Sequence, residues 1–151
     1  MNLPSKLFVD TSGWCAVFDR RDQNHKRASE FFAALKGKPV RLITSDDIFD
    51  ESVTLLRARI GHSSAVAFGE SVLRGNVVME EINESLRKEA WELFVKYKEQ
   101  AFSFTDCTSF VLMRNLKLQD AFAFAATFGR WALYAIPSLD RFPQLSSQLF
   151  F

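Results

Sequence analysis

Cysteine is scarce in this 151-residue sequence, which contains only Cys15 and Cys107. Two thiols make neither a disulfide framework nor a cysteine-based zinc site, so we expect free thiols in a reducing compartment. No apolar stretch approaches the ~20 residues that a membrane-spanning helix needs. The residues before the first apolar run do not resemble a signal peptide. These absences predict a cytoplasmic protein without a membrane segment.

An excess of one charge is also missing, because 19 basic and 18 acidic residues leave a formal net charge of +1. Proteins that hold nucleic acid by charge alone carry a clear excess of Lys and Arg. Any nucleic-acid contact must therefore use a local patch. Long charged side chains usually end up exposed, but some basic residues are also candidates for such a patch. These candidates are Arg57, Arg59, Arg114, Lys117 and Arg130.

Apolar residues are plentiful, at 48% of the sequence with 16 Phe, which excludes a disordered chain. This length supports one sizeable core and no comfortable second one. No repeat or Pro/Gly/Ser-rich linker divides the chain, so we expect one domain over residues 1–151. We expect Trp14 to pack in the core or in a dimer contact, and Trp91 to have an ordinary packing role on its amphipathic helix. His25 and His62 have no metal-ligand spacing and are expected to be exposed.

Short apolar runs alternate with amphipathic stretches along the chain. This alternation predicts an α/β fold with a mostly parallel sheet covered on both faces. In such sheets, active sites gather beyond the carboxyl ends of the strands. The predicted strands are residues 7–9, 40–44, 77–79, 120–124 and 132–136. The predicted helices are residues 14–18, 22–35, 46–60, 63–73, 85–100 and 105–116.

Three acids occupy positions where elements begin or end. Asp10 closes the first apolar strand, Glu51 lies in the first turns of a helix, and Asp106 enters a Phe-rich helix that Thr105 can cap. Each position also has a purely structural explanation, since Asp favours turns and acids favour helix N-termini. The neighbouring Asp46, Asp47 and Asp50 suit a cap or the solvated side of their helix.

Taken together, the three acids point to one edge of the sheet. Carboxylates that converge without basic partners repel one another, and a hard divalent cation relieves that repulsion. Mg²⁺ and Mn²⁺ prefer carboxylate oxygens and water. Such a metal activates water and stabilises charge on a phosphoryl group, which is the chemistry of phosphodiester hydrolysis.

Three motifs carry these acids, and each resembles a motif of the PIN-domain family, especially its VapC toxins. Residues 8–14 (FVDTSGW) resemble the opening motif, and residues 48–56 (IFDESVTLL) resemble the second, in which Glu51 matches the family's glutamate. Residues 103–110 (SFTDCTSF) resemble the third and are the most specific of the set. The similarity runs from Leu7 to Pro137 in the family's order and spacing.

The resemblance implies a three-layer α/β/α sandwich around a parallel sheet and a ribonuclease activity that depends on Mg²⁺ or Mn²⁺. By carry-over, Asp10 and Asp106 would bind the metal, and Glu51 would bind it or orient the attacking water. Thr11 and Thr105 would support the carboxylates by hydrogen bonds. The family's substrate class is RNA, and its toxins suggest a homodimer inhibited by a small antitoxin protein.

One departure from the family concerns its fourth acid, because the matching position holds Ala125 and the common His is replaced by Thr127. Asp120 lies five residues upstream, roughly 16 Å away along an extended strand, and more readily starts the strand than replaces the missing acid. Mg²⁺ needs few protein ligands, so three acids can suffice. The alternative is a weakened or inactive PIN-fold module that only binds RNA or protein.

Two further enzyme classes do not fit. An aspartyl-phosphate phosphatase also begins with Asp at a strand end, but it needs a second Asp two residues later, where this chain has Ser12. With 6 Gly and no Gly-Lys-Ser/Thr run, the chain has no phosphate-binding loop.

Overall fold

A computed structural model describes residues 3–124 of the chain. The strands are β1 (Lys6–Val9), β2 (Arg41–Ser45), β3 (Val77–Glu80) and β4 (Ala121–Phe122). The helices are α1 (Thr11–Phe18), α2 (His25–Leu35), α3 (Asp46–Ile60), α4 (His62–Arg74), α5 (Glu84–Lys96) and α6 (Phe104–Asn115). The strand predicted over residues 132–136 and the Ala125 and Thr127 positions lie outside the described residues.

The strands form a parallel sheet in the order β3-β2-β1-β4. The first two connections step from β1 to β2 to β3, whereas the third returns past them to place β4 beside β1. Because crossovers between parallel strands are right-handed, this reversal puts α1 to α4 on one face and α5 with α6 on the other. The predicted parallel α/β sandwich is therefore confirmed.

Strand β1 is central because its residues are apolar on both faces. Leu7, Phe8 and Val9 are all buried, as expected for a parallel strand flanked on both sides. Beyond its carboxyl end, the Thr44 hydroxyl donates to the Val9 carbonyl oxygen at 3.1 Å and accepts the Trp14 indole N–H at 3.3 Å. These bonds fix the end of β1 against β2 and confirm Trp14 as a core residue.

Helix α1 begins earlier than expected. The sequence Thr-Ser-Gly predicts a turn before a helix at Trp14, but the helix starts at Thr11 because the Asp10 side chain caps it by accepting the Ser12 N–H. Gly13 lets the first turn press against β4. A Cβ on Gly13 would lie 2.6 Å from both the carbonyl oxygen and a ring carbon of Phe122.

Two predictions about aromatic and imidazole side chains were wrong. Trp91 on α5 is 57% exposed and stacks on the 39%-exposed Phe94, so it covers the outside of the helix instead of the core. His25 is half-buried at the start of α2, where its Nδ1 lies 2.8 Å from the Ala16 carbonyl oxygen. His62 is exposed, as expected.

Candidate active site

The candidate site lies beyond the carboxyl ends of β1 and β4, where the direction of the chain connections reverses. Connections leave β1 towards β2 on one side, while β4 pairs with β1 on the other. Open parallel sheets bind ligands at such a switch point, because the flanking loops separate and leave a crevice. Asp10 directly follows β1 and therefore stands at this crevice.

Asp10 is held by its own chain two residues later. It is only 6% exposed, and its Oδ2 accepts both the Ser12 backbone N–H at 3.1 Å and the Ser12 hydroxyl at 2.7 Å. Its backbone N–H donates to the Phe122 carbonyl oxygen at 3.1 Å, which extends the β1–β4 pairing. Within residues 3–124, no basic side chain forms an ion pair with this carboxylate.

Glu51 reaches the same region from α3. Ser45 ends β2 and caps α3 by accepting the Ile48 N–H at 3.1 Å. This cap sets the start of the helix, so Glu51 lies in its second turn. The Thr11 hydroxyl donates to Glu51 Oε2 at 3.2 Å. Since Thr11 follows Asp10 in the chain, this bond joins the first two predicted acids through one residue.

Asp106 lies in the first turn of α6, as predicted, but Thr105 does not cap that helix. Ser103 is the cap: its hydroxyl accepts the Asp106 N–H at 3.0 Å, and Asp106 Oδ2 accepts the Ser103 N–H at 2.9 Å. This capping box satisfies two free backbone donors reciprocally. The backbone carbonyl oxygen of Thr105 accepts the Thr108 hydroxyl at 2.9 Å.

The charges of Asp106 and Glu51 act on the Asp10 carboxylate. Burial, with smaller contributions from the charges of Asp106 and Glu51, outweighs the lowering effect of the Ser12 hydrogen bonds and raises the pKa of the Asp10 carboxyl from 3.8 to about 6. Burial also raises the pKa of Asp106, against the lowering effect of its bonds to Ser103. The expected mutual repulsion is present, although burial is the larger cause.

The donor set suits a hard divalent cation, since Asp10, Glu51 and Asp106 offer only carboxylate oxygens and lack cationic partners within residues 3–124. Their convergence is incomplete: in this part of the chain, no three Asp, Glu, His or Cys side chains meet closely enough to hold one ion as they stand. The Asp106 carboxylate is turned towards its own helix cap. The three-acid metal site therefore stays a prediction.

The remaining nearby acids serve the fold. Asp46 Oδ1 accepts the N–H groups of Asp47 and Ile82, which ties the start of α3 to the chain after β3. Asp47 pairs with Arg87 at 3.1 Å, and Asp50 is exposed. These observations confirm the cap and surface assignments. The Asp120 carbonyl oxygen accepts the Phe8 N–H at 3.1 Å, and β4 begins at Ala121, so Asp120 directly precedes the strand instead of starting it.

Two of the candidate basic residues form ion pairs with acids other than the three site carboxylates. Arg59 pairs with Asp22 at 3.8 Å and Arg114 with Glu89 at 2.6 Å. Arg57 lies in the last turn of α3, about 9 Å beyond Glu51 along the helix axis. These placements favour a structural or surface role for the three residues. Arg130 lies outside the described residues.

Sequence reasoning missed the serines that hold the acids. Ser12 bonds to Asp10 and Ser103 caps the helix of Asp106, whereas Thr11 and Thr105 were expected to provide support. Thr11 does so for Glu51. The Ser-x-x-Asp spacing of residues 103–106 is a capping-box pattern and offered a usable signal for Ser103. Ser12 gave only the weaker signal of a hydroxyl two residues after an acid.

Comparison with known families and proteins agrees with this fold. The family model described as "PIN domain" matches residues 7–130. The chain is 38% identical over 122 residues to the 23S rRNA-specific endonuclease VapC20 of Mycobacterium tuberculosis strain CDC 1551 / Oshkosh, covering 81% of this chain and 91% of that protein. The same figures hold for VapC20 of strain ATCC 25618 / H37Rv.

The fold resembles a solved relative as well. The crystal structure of Mycobacterium tuberculosis VapC20, described as a sarcin-ricin loop cleaving toxin, superposes with a TM-score of 0.76 at 35% sequence identity. The match covers 85% of this chain and 98% of that one. The match therefore spans most of both chains.

Proposed function

Because this chain belongs to the PIN-domain family, we propose that it is a metal-dependent endoribonuclease of the VapC toxin type. The observation that carries the proposal is the junction of Asp10 and Glu51 through Thr11 at the switch point of the sheet, with Asp106 close enough to raise the pKa of Asp10. The alternative of a binding-only module is less favoured, since a named endonuclease is 38% identical over 122 residues.

Each site residue has a distinct task in the proposed reaction. Asp10 and Glu51 would hold Mg²⁺ or Mn²⁺, and Asp106 would add its carboxylate. When bound, the ion supplies an activated water and stabilises negative charge on the phosphoryl group. Thr11 keeps Glu51 Oε2 oriented towards the side of the crevice where Asp10 lies. The buried position of Asp10 limits competing water around that carboxylate.

The proposed substrate is a structured region of 23S ribosomal RNA, and the sarcin-ricin loop is the first candidate. This choice rests on the named activities of the relatives and on their coverage of most of this chain. A ribosomal substrate would place the activity in the cytoplasm. Within the described residues, no helix is long and apolar enough to cross a membrane.

The proposed assembly is a homodimer that a small antitoxin protein inhibits. The solved relative described as a toxin supports the antitoxin, and the exposed apolar residues of α5, where Trp91 and Val95 are 57% and 58% exposed, support the dimer. Large exposed apolar patches often mark protein contacts. Light scattering after size-exclusion chromatography measures whether the purified protein is dimeric.

Cleavage of a sarcin-ricin loop hairpin tests the activity. We expect the purified protein to cut the hairpin with Mn²⁺ or Mg²⁺ and to lose cutting under excess chelator. Asp10→Asn removes a ligand charge and should lower the rate at least 100-fold, on the order expected when a reacting site loses one electrostatic contact. Asp50→Asn, an exposed acid on the same helix as Glu51, is the matched control and should retain the wild-type rate.

The outcomes separate the two functions. Metal-independent cutting, or cutting that persists in Asp10→Asn, contradicts the proposed chemistry. No cutting by the wild-type chain but cutting by Ala125→Asp means that the family scaffold is disabled at its fourth acid. No cutting by either protein supports the binding-only module.

A further inference from the structure

The hydroxyl of Ser12 bridges two parts of the candidate site that are distant in sequence. It donates to Asp10 Oδ2 at 2.7 Å and accepts the backbone N–H of Phe124 at 2.9 Å. A serine hydroxyl has one proton to donate, and here that proton goes to the buried carboxylate. The acceptor side of the same oxygen holds the chain just after β4. Ser12 thus joins Asp10 to the other strand of the switch point.

The bridge also distinguishes the two oxygens of Asp10. Oδ2 receives both the N–H and the hydroxyl of Ser12. Within residues 3–124, no hydrogen bond to Oδ1 accompanies them. Two donors on one oxygen fix the carboxylate plane, so Oδ1 is the oxygen presented for another partner.

We propose that Ser12 is a positioning residue, which orients the Asp10 carboxylate towards a divalent cation and locks it to the backbone at Phe124. This inference rests on the proposed function. Residues behind a metal ligand orient it and are worth about 10- to 100-fold in metal affinity. Gly13 makes the bridge possible, because only a residue without Cβ lets α1 approach Phe122 closely enough.

The test measures Mn²⁺ binding by titration calorimetry with the full chain in the absence of RNA. We expect Ser12→Ala to weaken Mn²⁺ binding at least ~10-fold, because the carboxylate loses its hydroxyl donor. Ser12→Thr keeps a hydroxyl and should bind Mn²⁺ within a few-fold of wild type. Ser71→Ala is the matched control: that hydroxyl bonds to the Ala67 carbonyl oxygen on the exposed side of α4, and its loss should leave the affinity unchanged.

A second measurement separates positioning from misfolding. Amide hydrogen exchange should show faster exchange at Phe124 in Ser12→Ala, while the amides of β1 and β2 keep their protection, and Ser12→Thr should restore Phe124. If Ser12→Ala binds Mn²⁺ as tightly as wild type, or if Ser12→Thr is as weak as Ser12→Ala, the inference is overturned and the proposed function stands. If the wild-type chain binds no Mn²⁺, the proposed metal chemistry fails and the inference falls with it.

Discussion

At the scale of single residues, the candidate site is built around the Asp10 carboxylate, which the fold buries although burial disfavours its ionised form. Asp10 is 6% exposed, and burial with two acidic neighbours raises its pKa to about 6. An ionised carboxylate buried without a cation lowers the stability of the folded protein. Functional sites commonly contain side chains, such as metal-binding carboxylates, whose ionised form is unfavourable until the metal binds. We therefore expect stability and metal binding to oppose each other at this residue.

The pH dependence of stability tests this expectation. The pKa of folded Asp10 lies above its unfolded value of 3.8, so the folded state binds the proton more tightly. Its contribution to stability is therefore full below pH ~4 and is lost as the pH rises to about 6. Asp10→Asn keeps a capping oxygen but carries no charge. We expect it to raise the metal-free free energy of unfolding at pH 7 by about 1–3 kcal/mol.

Urea unfolding of both proteins at pH 4 and pH 7, with chelator present, measures this difference. The gain from Asp10→Asn should shrink towards zero at the lower pH, where the wild-type carboxyl is protonated. Asp50→Asn, which removes an exposed acid, should change the stability little at either pH. An Asp10→Asn variant that is less stable than wild type at pH 7 would contradict this account.

At the scale of elements, α1 and β4 meet at unusually close range. A Cβ added to Gly13 would approach the Phe122 carbonyl oxygen to 2.6 Å, which is backbone that cannot move aside easily. Gly69 of α4 is also a buried helix glycine, but there a Cβ would find only the Phe49 ring at 3.6 Å, an ordinary contact. An alanine at these two positions is therefore expected to have different effects on stability.

Gly13→Ala should destabilise the protein by about 1–3 kcal/mol, because overpacking forces α1 away from β4. Gly69→Ala should be neutral or stabilise by up to about 1 kcal/mol, because alanine favours the helix and has room. Chemical unfolding measures both values. Since Asp10 and Ser12 lie on the displaced segment, Gly13→Ala should also weaken Mn²⁺ binding. Equal stability of the two variants would show that the close approach does not matter.

Element positions were mostly readable from the sequence, because apolar runs between Gly, Pro and capping residues define them. The three acids were found for the same reason, since Asp10 follows a buried strand and Glu51 and Asp106 lie near helix starts. The start of α1 was missed because Thr-Ser-Gly suits a turn as well as a capped helix. The prediction for Trp91 was wrong because helical spacing does not reveal which aromatic residues of a helix stay exposed in the fold.

Side-chain contacts could not be predicted in this way. The bond from Ser12 to Phe124 joins residues 112 positions apart, and no local pattern contains that separation. The incomplete convergence of the three acids was equally hidden, because the turn of Asp106 towards Ser103 depends on its rotamer. Sequence reasoning thus predicted that the acids share one edge of the sheet, but it did not predict the orientations of their side chains.

At the scale of the whole molecule, the near-neutral charge limits how RNA can be held. The net charge is +1, and Arg59, Arg87 and Arg114 are paired with acids. A protein gains affinity from counterion release only when many Lys and Arg side chains are available to contact phosphates. Recognition of a folded RNA should therefore depend more on shape and on the metal site than on general electrostatic attraction.

The salt dependence of RNA binding tests this reasoning. Fluorescence anisotropy with Asp10→Asn and a labelled sarcin-ricin loop hairpin gives the affinity across a series of KCl concentrations. A protein that contacts few phosphates should give a log–log slope of magnitude below about 3. A scrambled hairpin of equal length and charge is the control and should bind more weakly. A much steeper slope, equal for both hairpins, would indicate general polyanion binding.

The pairing of β1 with β4 also sets when the crevice first exists during synthesis. Phe8 pairs with Ala121, so β1, which Asp10 directly follows, cannot pair with β4 until more than a hundred further residues have been made. At typical translation speeds this interval is on the order of 10 s. Until β4 is made, Ser12 has no Phe124 to hold, and Asp106 itself is made only shortly before β4. A chain proposed to cut ribosomal RNA thus completes its candidate site only late in its own synthesis.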